Sequence, residues 1–319
     1  VTYDIGYRKA NGIYYTPDVI VDYMVRETVS RLVDGRSPGG ISGISIVDPA
    51  CGDGNFLVGA YKYLVEYHRN WYNEHKDVDK YRLDWYIKDD ILELTETKKQ
   101  EILLNNIYGV DIDQNAINHA IIRMHELVGD IDLSSNIKCG NSLIGTDYFS
   151  NMLFYDDALW NEIKPFDWNK EFPKVFQNGG FDVVIGNPPY IGEKGHKEIF
   201  EKVKNGTLCD FYVGKMDYFY FFFHLALNIV RDNGIIAFIT TNYYITALGG
   251  KKLREDLYNR ATIKKLINFN ELKIFESATG QHNMITILQK SKNKNELATT
   301  CITHRKGHAT SEILQKILS

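Results

Sequence analysis

The chain is short of cysteine. Its four, Cys51, Cys139, Cys209 and Cys301 among 319 residues, form no CxxC pair and match no histidine spacing. They argue against a zinc site and a disulfide framework alike, no metal is expected, and a reducing cytoplasm is the expected compartment. Long apolar runs are missing too. The longest, "DYFYFFFHLALNIV" (217–230), is interrupted by Asp217, His224 and Asn228, so it reads as a buried helix with His224 as a core histidine. No signal peptide is expected at the start. Net positive charge is lacking, because the formal charge is −4, yet from residue 250 onward 13 Lys/Arg face 6 Asp/Glu. That basic fifth is either solvated surface or a face that steers a polyanion.

What is present is an alternation of strands and helices. "ISIVDPA" (44–50), "NIYGVDID" (106–113), "IKCGNSL" (137–143), "FDVVIGNPPY" (181–190) and "GIIAFITTNYY" (234–244) read as strands with helical segments between them. Repeated strand–crossover–strand units imply a mainly parallel sheet with helices on both faces. Ligands then bind outside the carboxyl ends of the strands. Asp48, Asp111, Asn141 and Asn187 all fall at or just past such ends. Residues 61–105 contain neither Gly nor Pro and read as helices inserted between the first two strands. From about 291 periodicity is lost, and the tail is expected to be a linker or the first piece of a further domain.

Two stretches carry chemistry. In "DPACGDGNFL" (48–57) a buried strand runs into a helix, and Gly52 and Gly54 make a tight turn that lets backbone amides approach a ligand. Asp48, Pro49-Ala50 and Phe56 make that signal far more restrictive than two glycines. A ribose-binding acid is expected about 20 residues later. Asp111 follows Gly54 by 57, a delay that the insertion explains. In "GNPPY" the prolines stop a buried strand and leave a rigid platform. There Asn187 offers a carboxamide to a planar polar edge, Pro188 a free carbonyl, and Tyr190 a stacking face.

These motifs resemble those of the γ-class S-adenosylmethionine-dependent DNA adenine-N6 methyltransferases. "DPACGDGNFL" is similar to motif I, "GVDID" to the acidic second motif, "NPPY" to the catalytic motif, and "GIYYTPDVIVDYMV" (12–25) to the N-terminal cofactor-binding motif. The order, with "YYTP" and "GNPPYIG", is most similar to the methylase of Eco57I-like type IIG restriction-modification enzymes. The resemblance covers about residues 10–290. It implies a class I methyltransferase fold, Rossmann-like, with a mainly parallel seven-stranded sheet. It implies a catalytic domain over 1–290, whose first 40 residues are a cofactor-binding segment.

The same resemblance implies the cofactor S-adenosyl-L-methionine, double-stranded DNA as partner, and site residues one by one. Thr16 and Pro17 would lie at the methionine end beside Asp48 and Ala50, and Tyr15, Cys51, Gly52, Gly54 and Phe56 would also bind the cofactor. Asp111 would take the ribose hydroxyls, Ile112 would pack on the adenine ring, and Asn141 and Ser142 would lie by the adenine edge. Many relatives carry Asp where Asn141 stands, and an amide oxygen is a weaker acceptor than a carboxylate. Asn187, Pro188, Pro189 and Tyr190 would be catalytic, with a flipped adenine stacked between Tyr190 and Phe275. The NPPY tetrapeptide also serves protein-glutamine methyltransferases, RNA is an alternative substrate, and a non-catalytic cofactor- or DNA-binding module is the contrasting class. No nuclease cluster is expected at Asp89-Asp90…Glu96-Thr97-Lys98 or at Glu271-Leu272-Lys273, which read as solvated charges.

Overall fold

The structure, a computed structural model, describes residues 15–150, 152–275, 281–291, 293 and 296–319. Residues 12–14 of the N-terminal motif and residues 276–280 lie outside the described residues.

Continuous apolar runs form the central strands because both faces of the sheet are covered. Val183, Val184 and Ile185 on β6 (Phe181–Gly186) have no solvent exposure, and the same holds for Ile236–Ile239 on β7 (Val230–Thr241). β1 (Ile46–Asp48) pairs in parallel with β6 on one side and β4 (Ile107–Asp111) on the other. β5 (Ile137–Cys139) lies outside β4, and β7 lies beside β6. Beyond β7 the direction reverses: β10 (Asn283–Lys290) runs antiparallel to both β7 and β8 (Ala261–Asn268).

Among the described residues the sheet has eight strands, in the order β11-β8-β10-β7-β6-β1-β4-β5. Seven were expected. The eighth, β11 (Thr299–Ile302), comes from the aperiodic tail and pairs in parallel with β8. The segment read as a linker also supplies β12 (Gly307–His308), which pairs with β9 (Leu272–Lys273), and a terminal helix, Ser311–Ile317. Leu314 and Leu318 of that end are buried, and Arg26 donates to the Leu318 carbonyl at 3.3 Å.

Three helices position the site. α1 (Asp18–Val33) packs on α2 (Asn55–Glu74), which opens directly from the glycine turn, and α3 (Gln114–Val128) follows β4. The insertion is not wholly helical. It contains a hairpin of β2 (Trp85–Lys88) and β3 (Ile91–Leu94), turned at Asp89 and Asp90, both with positive φ. Tyr72 donates to Asp84 at 2.6 Å and Lys98 pairs with Asp84 at 3.5 Å, which ties the hairpin to α2. Among the described residues no helix is long and apolar enough to cross a membrane.

Part of the basic fifth is paired within the fold, mostly with its own carboxylates. Lys251, Arg260, Lys264, Lys265, Lys290, Lys306 and Lys316 each pair with a carboxylate. The buried aromatic helix, Phe219–Ile229, carries His224 as a core residue with no solvent exposure. Its Nδ1 meets Asp256 at 2.5 Å and Phe211 stacks on its ring at 3.7 Å, while Nε2 has no partner among the described residues. Burial pushes its pKa down, against the pull of Asp256.

Candidate active site at the strand carboxyl ends

The chain leaves β1 at Asp48, whose carboxylate is buried and accepts the Ala50 amide at 2.9 Å. Burial pushes the Asp48 carboxyl well above its ordinary range; the Ala50 amide opposes this and Asp111 adds to it. Gly52 (φ 53°) and Gly54 (φ 84°) then take the left-handed region, where side chains are strained. A Cβ on Gly52 would meet nothing within 4 Å, so bare backbone faces open space at the head of α2. This is the geometry in which main-chain amides approach an anionic or hydroxylated ligand closely.

Asp111, at the end of β4, holds this turn. Its Oδ2 accepts the Gly52 amide at 2.8 Å and its Oδ1 the Asp113 amide at 2.9 Å. Burial raises its pKa, and those two amides counter the rise. Beside it Ile112 is exposed, an aliphatic face on which a ring can pack. Ser142 donates to the Pro49 carbonyl at 2.6 Å, and the Asn141 Oδ1 accepts the Leu143 amide at 3.1 Å. The three loops after β1, β4 and β5 are thus tied together. Cys51 and Phe56 are core residues here: both are buried, and burial raises the Cys51 thiol far above its ordinary value.

β6 delivers the platform beside this loop. A Cβ on Gly186 would lie 2.5 Å from Asp48 Oδ1, a contact no other residue could make. Next in the chain, Asn187 donates from Nδ2 to Thr16 Oγ1 at 3.1 Å, and Thr16 is itself buried. Tyr15 is exposed and donates to Asp18 at 3.2 Å, while the Pro17 carbonyl accepts the Ile20 amide as α1 begins. The segment before α1, the glycine turn and the NPPY platform therefore meet at one corner.

Tyr190 is fixed at both ends. Its hydroxyl donates to the Ile239 carbonyl on β7 at 2.9 Å, and its ring meets Phe219 edge-on at 6.0 Å. Phe275 also comes against it, at 6.2 Å with 61° between the planes. A flat base sandwiched by two rings needs them near parallel. Admission of a base between these two requires one ring to turn.

Two supports were missed in the sequence. Asp217, just before the aromatic helix, accepts the Ile191 amide at 3.0 Å and so clamps the exit of the NPPY segment. Burial pushes its carboxyl up to about 7, against the amides of Phe219, Ile191 and Tyr218. An acid immediately ahead of an apolar helix was the available signal. Asn55, the first residue of α2, donates to the Thr16 carbonyl at 2.8 Å. A separate groove of about 530 Å³ runs between α3 and β5, lined by His125, Asp132, Lys138 and others, and includes none of Asp48, Asp111 and Asn187.

Residues 105–275 match the family described as the Eco57I restriction-modification methylase, which spans more than half of the chain. The chain belongs to that family. Among curated relatives of this Eco57I-type methylase, the type II restriction enzyme and methyltransferase RM.Eco57I of Escherichia coli is 28% identical over 301 residues. The match takes in 88% of this chain and 28% of that protein. The type II methyltransferase M.HincII of Haemophilus influenzae is 31% identical over 133 residues, 41% of this chain and 26% of that protein. The chain thus spans less than a third of either relative. Among solved structures, the DrdV–DNA complex aligns with a TM-score of 0.61 at 17% identity, covering 99% of this chain and 30% of that one. The fold is that of class I S-adenosylmethionine-dependent methyltransferases.

Proposed function

We propose that this chain transfers a methyl group from S-adenosyl-L-methionine to N6 of an adenine flipped out of double-stranded DNA, as the modification part of a restriction-modification system. The observation that carries the proposal is the contact of Gly186–Asn187 with Asp48 and Thr16, which sets the amine-binding platform against the glycine turn. The donor set fits the cofactor: a bare glycine backbone, the acid Asp111 bound to that backbone, and the exposed Ile112. When bound, the cofactor supplies an electrophilic methyl group on a sulfonium sulfur.

The chain's own residues do the rest by positioning. The Asn187 side-chain oxygen and the Pro188 carbonyl accept the two hydrogens of the adenine amine, which builds electron density on nitrogen. Pro189 keeps that turn stiff, and Tyr190 gives the base a stacking face. Alignment of amine and methyl group supplies the larger part of the rate. DNA sequence readout, and any nuclease, belong in this reading to segments of the whole protein other than this chain, and its likeness to a bacterial restriction-modification enzyme supports a cytoplasmic location.

Methyl transfer from tritiated S-adenosylmethionine to unmethylated duplex DNA, with the product hydrolysed and identified, tests the reading. Label in N6-methyladenine, lost by about 100-fold or more in Asn187→Ala with cofactor binding retained, supports it. Label in cytosine or protein, or none at all, overturns it.

A further inference from the structure

The contact between Thr16 and Asn187 joins residues 171 positions apart, and it is one link of a longer chain. Arg123 on α3 donates to the Asp53 carbonyl at 3.0 Å and to Asn55 Oδ1 at 3.3 Å. Asn55 in turn donates from Nδ2 to the Thr16 carbonyl at 2.8 Å, which fixes the backbone that presents the Thr16 hydroxyl. Thr16 Oγ1 then accepts from Asn187 Nδ2 at 3.1 Å. Each link lies between elements of different origin: α3, the head of α2, the segment before α1, and the end of β6.

We infer that Thr16 is a positioning residue for Asn187, and that Asn55 and Arg123 hold Thr16 in place for that role. The inference rests on the function proposed above. A carboxamide is planar, so a nitrogen held by Thr16 fixes the direction of the oxygen on the opposite branch. A carboxamide presents a donor on one branch and an acceptor on the other, and only the acceptor suits an amine that must give up hydrogen-bonded protons. Without the hydroxyl this hold on the nitrogen is lost, and a half turn about the last bond would offer N–H donors to the amine in place of the acceptor. A hydroxyl can accept from a nitrogen or donate to an oxygen, so Thr16 selects the productive orientation once its own hydrogen is given to the cofactor's methionine end and it can only accept from Asn187. The segment before α1 thereby couples an occupied cofactor site to a correctly turned Asn187.

The test uses the whole protein and three forms: wild type, Thr16→Val and Thr16→Ser. Valine keeps the shape and removes the hydroxyl; serine keeps the hydroxyl. With cofactor saturating, Thr16→Val is expected to slow single-turnover methyl transfer by about 10- to 100-fold, as misplacement of a reacting group does. Cofactor affinity by calorimetry falls less than the rate does, and Thr16→Ser recovers most of the rate. A saturated rate unchanged in Thr16→Val, or a loss confined to cofactor affinity, overturns the inference. A readout independent of activity accompanies it: neutron crystal structures of wild type and Thr16→Val, in which the deuterons tell the carboxamide nitrogen from its oxygen. A carboxamide turned or split between two orientations in the variant supports the role of Thr16, and one that keeps its place overturns it. Absence of methyl transfer by the wild type sinks the proposed function instead, and the crystal comparison still decides this inference.

Discussion

Gly186 presses on Asp48 so closely that a Cβ would stand 2.5 Å from the carboxylate oxygen. That oxygen already accepts the Ala50 amide, so it has no easy way to retreat. The contact sets the distance between the cofactor-side strand and the platform strand. Gly186→Ala is expected to weaken S-adenosylmethionine binding by about tenfold, or ~1.4 kcal/mol. Isothermal titration measures it; unchanged affinity in a folded variant would show that the two strand ends yield independently.

Asp217 should make stability depend on pH. Its carboxyl is pushed up to about 7 by burial, whereas an unfolded-chain aspartate titrates at roughly 3.9. The folded state holds this proton more tightly, so the stabilisation it gives is complete below about 4 and declines as pH rises towards 7. Asp217→Asn removes that titration. Wild-type Tm minus variant Tm, followed from pH 4.5 to 8, is expected to fall as pH rises through this window. A difference that stays flat would place the Asp217 titration elsewhere.

Tyr190 separates anchoring from stacking. Tyr190→Phe deletes the bond to the Ile239 carbonyl but keeps the ring, so urea unfolding is expected to show a loss of about 1–2 kcal/mol. Methyl transfer should persist within about an order of magnitude, because the stacking face is retained. Loss of activity as deep as that of Asn187→Ala would mean that the hydroxyl, not the ring, acts on the base.

The insertion offers a stability check remote from the chemistry. Asp84 receives Tyr72 and Lys98 together, and Lys98 is buried. Asp84→Ala strands that cation with Glu101, its other carboxylate, alone. Destabilisation of about 3 kcal/mol is expected, with cofactor affinity unchanged in the folded fraction. A loss of cofactor binding at equal folding would tie the hairpin to the site.

Strand ends were legible in the sequence for a physical reason. Parallel strands buried on both faces read as unbroken apolar runs, and the polar residue that ends such a run, Asp48, Asp111 or Asn187, is what the proposed site uses. The hairpin β2–β3 was hidden because its turn uses Asp89 and Asp90 at positive φ instead of glycine. β11 was hidden because it is an edge strand with little burial, and so shows no alternation. The Thr16–Asn187 bond follows from no spacing rule, since it joins the segment before α1 to the end of β6 through space. The edge-on meeting of Tyr190 and Phe275 was equally beyond reach: pairing of rings could be expected, but not their tilt.

The most direct measurement is a crystal structure of the protein with S-adenosylmethionine bound. The expected result has the ribose on Asp111 and the sulfonium methyl turned towards the corner formed by the Asn187 side-chain oxygen and the Pro188 carbonyl. A cofactor lodged elsewhere, such as in the groove beside β5, or a methyl group facing away from Asn187, would contradict it.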